Sequence, residues 1–348
     1  MAPIPVANIY YLLCYAWNEF APRQIEQRAA EEAPDTLHLF SRQLIVGVQL
    51  LHRQGFERGY VTLEETTGSP RGRILIGASI RTIVSQPKKL HCAHDEMSVD
   101  IQSNQILKAT LQRLLGVREL HSSIRREVRQ ACALLRDVKE IELDARMFHV
   151  VRLHEDNRLY AFLLTICRFL YECMEAQDSQ GHYHFRGVDR DEKRMRRVFE
   201  KFVRNFFLRR QNTFKVKSER MDWWVTSTGG SDQKFLPTMV TDASLRSDDR
   251  TLVIECKYTE KLLNSHFGAD RLQSAHLYQL STYLRNLEHN RGADGSAEGV
   301  LLYPTVGQSL DLSYTLHGHI VRIRTLNLDC PWTEIENQML SLIGLQPA

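Results

Sequence analysis

The sequence predicts a mixed α+β chain in two parts, and three observations carry that reading. Up to about residue 180 the apolar spacing is mostly helical, with one small β element. Beyond it the pattern changes to helix, strand, strand, helix, strand. With 348 residues, the chain is long enough for two domains at roughly 150 residues each. We place the parts at 1–185 and 186–348.

The elements follow in order. Residues 4–20 read as a helix rich in aromatics (Tyr10, Tyr11, Tyr15, Trp17), expected to be buried. A second helix covers 38–54 and a strand covers 59–67, closed by the turn residues Gly68, Ser69 and Pro70. Residues 71–81 suggest a second strand entering a helix or loop, and 98–116 and 118–139 have helical periodicity with dense surface charge. The strongly apolar 158–176 reads as a buried helix. In the second part, a helix over 191–210 has apolar residues at 195, 198, 199, 202, 203, 206 and 207, the stripe of a helix lying on a sheet. Strands follow at 236–246, 251–259, 298–305 and 318–328. A helix at 270–288 aligns Leu277, Leu280, Leu284 and Leu287, and another near 332–344 closes the chain.

Several classes are excluded. A chain with 43% hydrophobic and 25% charged residues is neither disordered nor fibrous. The longest apolar stretch, Leu159 to Met174, carries Arg168 and Glu172 and falls short of the roughly 20 residues a membrane helix needs. No positive segment precedes the apolar N-terminus, so no signal peptide is expected. Seven scattered cysteines without a CxxC imply reduced thiols and a cytoplasmic protein. His91, Cys92, His94 and Asp95 look like metal ligands, but no second half-site follows at zinc spacing, so a polar loop is expected there.

The chemistry is concentrated in residues 235–258. Ser247 to Arg250 is a polar turn between two strand-like runs. If Asp248 and Asp249 form a two-residue loop, paired positions sum to 497, and Asp242 then faces Glu255. Directly opposed residues share a face, about 5 Å apart at Cβ. Lys257 joins them by the period-two alternation of a strand. Met239, Ala243, Leu245, Leu252, Ile254 and Cys256 fall on the opposite, apolar side. Two carboxylates this close repel unless a cation lies between them. Oxygen ligation suits Mg²⁺ or Mn²⁺, with the Cys256 backbone carbonyl as a further candidate ligand. A lysine beside them can position water and stabilise charge developing on a phosphate. Glu200 on the preceding helix is placed to assist at the metal, and Gln279 and Tyr283, four apart on one helix face, to approach the site or DNA.

Asp242, Glu255-Cys256-Lys257 and Gln279 to Tyr283, in helix–strand–strand–helix order, resemble the core of PD-(D/E)xK nucleases with the QxxxY element of RecB-type enzymes. Pro237 departs from the pattern, lying five residues before Asp242 rather than beside it. A wider resemblance rests on residues 6–17, 103–111, 181–185, the hairpin, 277–284 and 301–306, which are similar to the McrC family, the nuclease subunits of McrBC-type modification-dependent restriction systems. That resemblance implies an Mg²⁺-dependent endonuclease acting on DNA with methylated cytosine. It also implies an AAA+ GTPase ring as partner, with the N-terminal part docking on the ring and stimulating GTP hydrolysis.

Two features agree with such a division of labour. No GxxxxGK[ST] occurs in the sequence, so GTP would be handled only through the partner. Residues 190–220 carry 12 Lys/Arg against 4 Asp/Glu, a surface suited to phosphates. Two other functions fit the same pattern: a stand-alone RecB-like nuclease, and a non-catalytic DNA-binding assembly factor that activates the partner GTPase.

Overall fold

The structure is a computed structural model and describes residues 4–20, 33–151, 157–177, 181–225, 232–259, 264–266, 269–289, 292–306 and 309–346. The chain forms two compact units. One holds Leu37–Arg186; the other joins Met1–Phe20 to Gly187–Ala348. The sequence reading cuts the chain at almost the same point but leaves the first helix, α1 (Val6–Trp17), in the N-terminal part. Burial explains where α1 goes. Asn8, Ile9, Tyr10, Leu12, Leu13, Cys14, Tyr15 and Ala16 are all buried, so it is covered on more than one side. It packs on the helix Glu192–Arg210 of the second unit, and the Asn8 side-chain amide donates to the carbonyls of Leu328 and Cys330, both at 2.9 Å.

In the 37–186 unit, α2 (Thr36–Gln54) leads into β1 (Gly59–Thr67), β2 (Arg73–Ile74), α3 (Ile76–Ser85) and β3 (Leu90–Ser98). The strands form an antiparallel sheet in the order β1-β3-β2. Residues 91–95 are therefore a central strand and not the expected polar loop: Glu65 pairs with Cys92, and Cys92 is fully buried. His91 and the consecutive His94, Asp95 and Glu96 break any alternation and masked the strand. Among the described residues no group of three or more His, Cys, Asp or Glu could hold a metal. Four helices follow: α4 (Gln102–Leu115), α5 (Ser122–Leu134), the short α6 (Met147–Val150) and α7 (Arg158–Cys173). As its composition requires, α7 is buried through Phe162, Leu163, Ile166, Cys167 and Leu170. It crosses α2 at Gly47, where any Cβ would lie 2.3 Å from Leu163. β4 (Met174–Ala176) and β5 (Tyr183–Phe185) close the unit as a small ribbon.

The second unit opens with α8 (Glu192–Arg210), capped by the Asp191 side chain on the Arg194 amide. The strands are β6 (Lys215–Lys217), β7 (Arg220–Met221), β8 (Met239–Val240), β9 (Ala243–Arg246), β10 (Thr251–Cys256), β11 (Asn264–His266) and β12 (Ala269–Arg271). Then come α9 (Ser274–Leu287), β13 (Glu298–Thr305), β14 (Asp311–Leu316), β15 (His319–Asn327) and α10 (Trp332–Leu342). Six strands form one mixed sheet in the order β14-β15-β13-β10-β9-β6, with β10, β13 and β15 mutually parallel. The edge strands β6 and β14 lie outside the sequence reading, which found only the strands with long apolar runs.

Helices cover both faces of the sheet. α8 lies against β9 and β10 through Met195, Phe199, Phe202, Val203, Phe206 and Phe207, all fully buried. Tyr15 of α1 and Trp332 of α10 stack at 5.7 Å, and each meets Phe202 edge-on. On the other face Leu280, Tyr283, Leu284 and Leu287 of α9 share a core with Val253, Leu301, Tyr303, Val321 and Ile323. Gly299 permits this approach, since a Cβ there would lie 2.9 Å from Leu280 and Leu284.

Candidate active site

The hairpin has the register that alternation predicts. Thr251 pairs with Arg246, Leu252 with Leu245, Val253 with Ser244 and Ile254 with Ala243, so every pair sums to 497. The next pair in this register is Asp242 with Glu255. The ladder stops one step earlier, because the strand expected over 236–246 breaks at Thr241 and Asp242. Thr241 pins the break: its amide donates to the Glu219 carbonyl at 3.0 Å, and its hydroxyl lies 2.9 Å from that of Ser244.

The break has two consequences. Met239 leaves the side of Ala243 and Leu245, where strict alternation put it, and joins the α9 core with Val253. Asp242, freed from the ladder, turns its Oδ2 to accept from the Cys256 amide at 2.8 Å. A ladder bond is thus replaced by a side-chain bond that ties the carboxylate to β10.

The face bearing Glu255 and Lys257 is not the exposed face of a surface hairpin, because α9 covers it. Glu255 is 3% exposed. Its Oε1 accepts from Lys257 Nζ at 2.8 Å, while its Oε2 is buried and has no hydrogen-bond partner among the described residues. Burial is the main reason the Glu255 carboxyl is pushed up to about 7; the neighbouring Asp242 adds to the rise and Lys257 opposes it. Burial also raises Asp242, against the Cys256 amide, Lys257, Arg204 and Arg196. Glu200, on α8, is raised first by burial and then by Asp242, which places all three carboxyls in one field. Crowded, desolvated carboxylates with a bare oxygen are what a divalent cation relieves. The residues present therefore fit one, with Asp242 and Glu255 as ligands. The Cys256 thiol is buried and held well above its ordinary value, chiefly by burial, so it is no thiolate donor.

Gln279 and Tyr283 lie behind Lys257 and hold it in place. Lys257 Nζ donates to Gln279 Oε1 at 2.7 Å, Gln279 Nε2 donates to the Tyr283 hydroxyl at 2.8 Å, and that hydroxyl donates to the Val240 carbonyl at 3.0 Å. The chain of bonds starts at Glu255 and returns to the strand break two residues before Asp242. Tyr283 is buried.

Four residues outside the sequence reading belong to this neighbourhood. Arg196 and Arg204 lie one turn before and after Glu200 on α8, and Arg204 donates to the Asp242 carbonyl at 3.3 Å. The four-residue spacing was a signal available in the sequence. His276 and Tyr303 were not legible, since their meeting depends on the parallel pairing of β10 with β13. That register sets Glu255 beside Leu301 and Cys256 beside Leu302, and the Lys257 amide continues it by donating to the Leu302 carbonyl at 2.9 Å. Tyr303 is next in line, and its hydroxyl lies 2.9 Å from His276 Nδ1. Of the tryptophans between α8 and the hairpin, Trp223 donates from Nε1 to the Pro237 carbonyl at 2.6 Å, and the largely exposed Trp224 stacks on His289 at 3.9 Å.

Comparison with known proteins places this geometry in context. The family model described as "McrBC 5-methylcytosine restriction system component" matches residues 7–304. The "Type IV methyl-directed restriction enzyme EcoKMcrBC" of Escherichia coli (strain K12) is 29% identical over 341 residues, covering 97% of both chains. The fold is similar to a chain in the assembly of Thermococcus gammatolerans McrB AAA+ hexamers with bound McrC. That match has a TM-score of 0.62 at 14% identity and covers 97% of this chain and 75% of the other.

Proposed function

Since the chain belongs to the family of McrBC 5-methylcytosine restriction system components, we propose that it is the nuclease subunit of such a system. In this reading it is an Mg²⁺- or Mn²⁺-dependent endodeoxyribonuclease with a PD-(D/E)xK core. It cuts duplex DNA bearing methylated cytosine and works with, and stimulates, an AAA+ GTPase ring. The observation that carries the reading is the buried pair Asp242 and Glu255 beside Lys257, with Glu255 Oε2 lacking a hydrogen-bond partner among the described residues.

Asp242 and Glu255 would hold the cation, with the Cys256 backbone carbonyl as a third donor. When bound, the cation supplies Lewis-acid polarisation of the phosphate. The protein side chains do the rest. Lys257 has three N–H donors; two are committed, to Glu255 and Gln279. The third is free to orient the attacking water or meet the developing phosphorane charge. Holding the ammonium at two points removes the rotamer freedom it would otherwise lose on binding the transition state. Glu200 adds a third carboxyl at the edge of the pair.

The 37–186 unit is the proposed partner-docking part. Support comes from α3, where Ile76, Ile80 and Val84 form one stripe four residues apart and are 71%, 62% and 85% exposed. The inner side of α3 is tied down through Ser79, whose hydroxyl donates to the His91 carbonyl and accepts from the His91 amide. An apolar stripe on a fixed helix marks an interaction surface. The test of the whole reading is Mg²⁺-dependent cleavage of methylated duplex by this chain mixed with its AAA+ partner and GTP. Asp242→Ala and Glu255→Ala should each abolish cutting; near wild-type cutting by either overturns the site.

A further inference from the structure

We propose that Arg196 and His276 form, together with Lys257, a three-donor cradle for a DNA phosphate beside the carboxylate pair. The proposal rests on the nuclease reading and names the part of the site that grips the substrate backbone.

The three groups come from different elements. Lys257 follows β10, Arg196 projects from α8 one turn before Glu200, and His276 lies three residues before Gln279 on α9. Tyr303 fixes the imidazole. The tyrosine is 1% exposed and lies in register beside Lys257, and its hydroxyl engages His276 Nδ1 at 2.9 Å. One ring nitrogen is thereby committed and the other remains to meet a ligand. Among the described residues Arg196 has one weak ion pair, to Glu192 at 3.5 Å, with both side chains about half exposed. A pair of that kind contributes almost nothing to stability, so the guanidinium is available to a stronger acceptor.

The charges point the same way. Lys257, which follows β10, and Arg196 of α8 both oppose a charge on His276, and the Tyr303 hydroxyl of β13 bonds its Nδ1. Burial, then those two cations, lower the imidazole to about 4. A neutral histidine between two cations is the arrangement an entering phosphate would change. The anion offsets both cations, the imidazole takes up a proton from solvent, and its free N–H donates to a phosphate oxygen. No bond is made or broken; one proton moves from buffer to His276.

The test is duplex binding by the full chain in EDTA, where no cleavage can occur, read by fluorescence anisotropy of a labelled duplex against KCl at pH 6, 7 and 8. Arg196→Ala should reduce the slope of log affinity against log salt by about 1, and Arg196→Lys should restore it. Affinity should weaken from pH 6 to 8 in both proteins, because Glu255 ionises near 7 beside the same site, but more steeply in the wild type than in His276→Gln. Melting curves of each variant run alongside, since a purely structural role would lower the melting temperature without touching slope or pH dependence. An unchanged slope in Arg196→Ala, or an unchanged pH dependence in folded His276→Gln, overturns the cradle. Cleavage by the wild type with its partner in Mg²⁺ is measured in parallel. If that fails while the slopes change as expected, the nuclease reading falls and the phosphate contact stands.

Discussion

Lys257 Nζ donates to Gln279 Oε1 at 2.7 Å, which turns the glutamine toward the lysine. On sequence spacing, Gln279 and Tyr283 were equally suited to reach for DNA. In the fold they hold the lysine from behind. Gln279→Ala should therefore lower kcat about tenfold while leaving Mn²⁺ affinity and KM near wild type, the split expected for an interaction used mainly in the transition state. Tyr283→Phe, which loses the bonds to Gln279 and Val240, should show a smaller loss of the same kind. A raised KM with unchanged kcat would return both residues to the DNA surface.

Lys257→Ala should reduce cleavage by on the order of 10²-fold or more, the scale of one lost charge contact in a transition state. Metal affinity should survive, because the lysine is not a ligand. Titration calorimetry with Mn²⁺ checks this; lost affinity would mean that Lys257 holds Glu255 in place and does nothing else.

The Glu255 carboxyl makes the metal-free protein pH-sensitive. Its ordinary value is 4.5 and the folded state holds it near 7. Between those values the folded chain binds the proton and the unfolded chain does not, so stability is full below about 4.5 and is lost as pH rises through 7. The difference corresponds to roughly 3 kcal/mol. Glu255→Gln, neutral at all pH, should raise the melting temperature of metal-free protein at pH 8 and flatten its pH dependence. Mn²⁺ should stabilise the wild type and not the variant. A variant less stable than wild type at pH 8 would show that the ionised carboxylate is already satisfied.

Stimulation of the partner should be independent of the chemistry. Asp242→Ala should still raise the GTPase rate of the ring, whereas Ile76→Glu with Ile80→Glu, a change on an exposed face, should abolish the stimulation and spare the fold. Phosphate release in steady state reads both. Failure of folded, ring-bound Asp242→Ala to stimulate would mean that one site serves both activities.

The first helix should be indispensable to the second unit. Asn8→Ala leaves two carbonyls without their buried donor, at a cost of about 1–3 kcal/mol. A fragment over 187–348 loses α1 altogether and exposes the aromatic face of α8, so it should aggregate or fail to melt cooperatively. A fragment starting at 187 that melts like the intact unit would show that α1 is dispensable.

Some of this was determined by sequence alone, and for a local reason. Side chains on a strand alternate with period two and a two-residue turn fixes register, so the pairing of Leu252 with Leu245 and of Ile254 with Ala243 could be computed from the positions of Asp248 and Asp249. The helices α8 and α9 were legible because their apolar residues recur every three or four positions. Tertiary structure decided the rest. Whether the carboxylate face met water or a helix depended on α9, which starts 18 residues after Cys256. The meeting of His276 with Tyr303 depended on a parallel pairing that no turn specifies. Above all, α1 joined the unit that follows it by 170 residues or more, since Asn8 bonds to Leu328 across 320 positions. Periodicity shows that a helix must bury its faces. It carries no information about which distant surface will cover them, because that is settled by the packing energy of the whole unit.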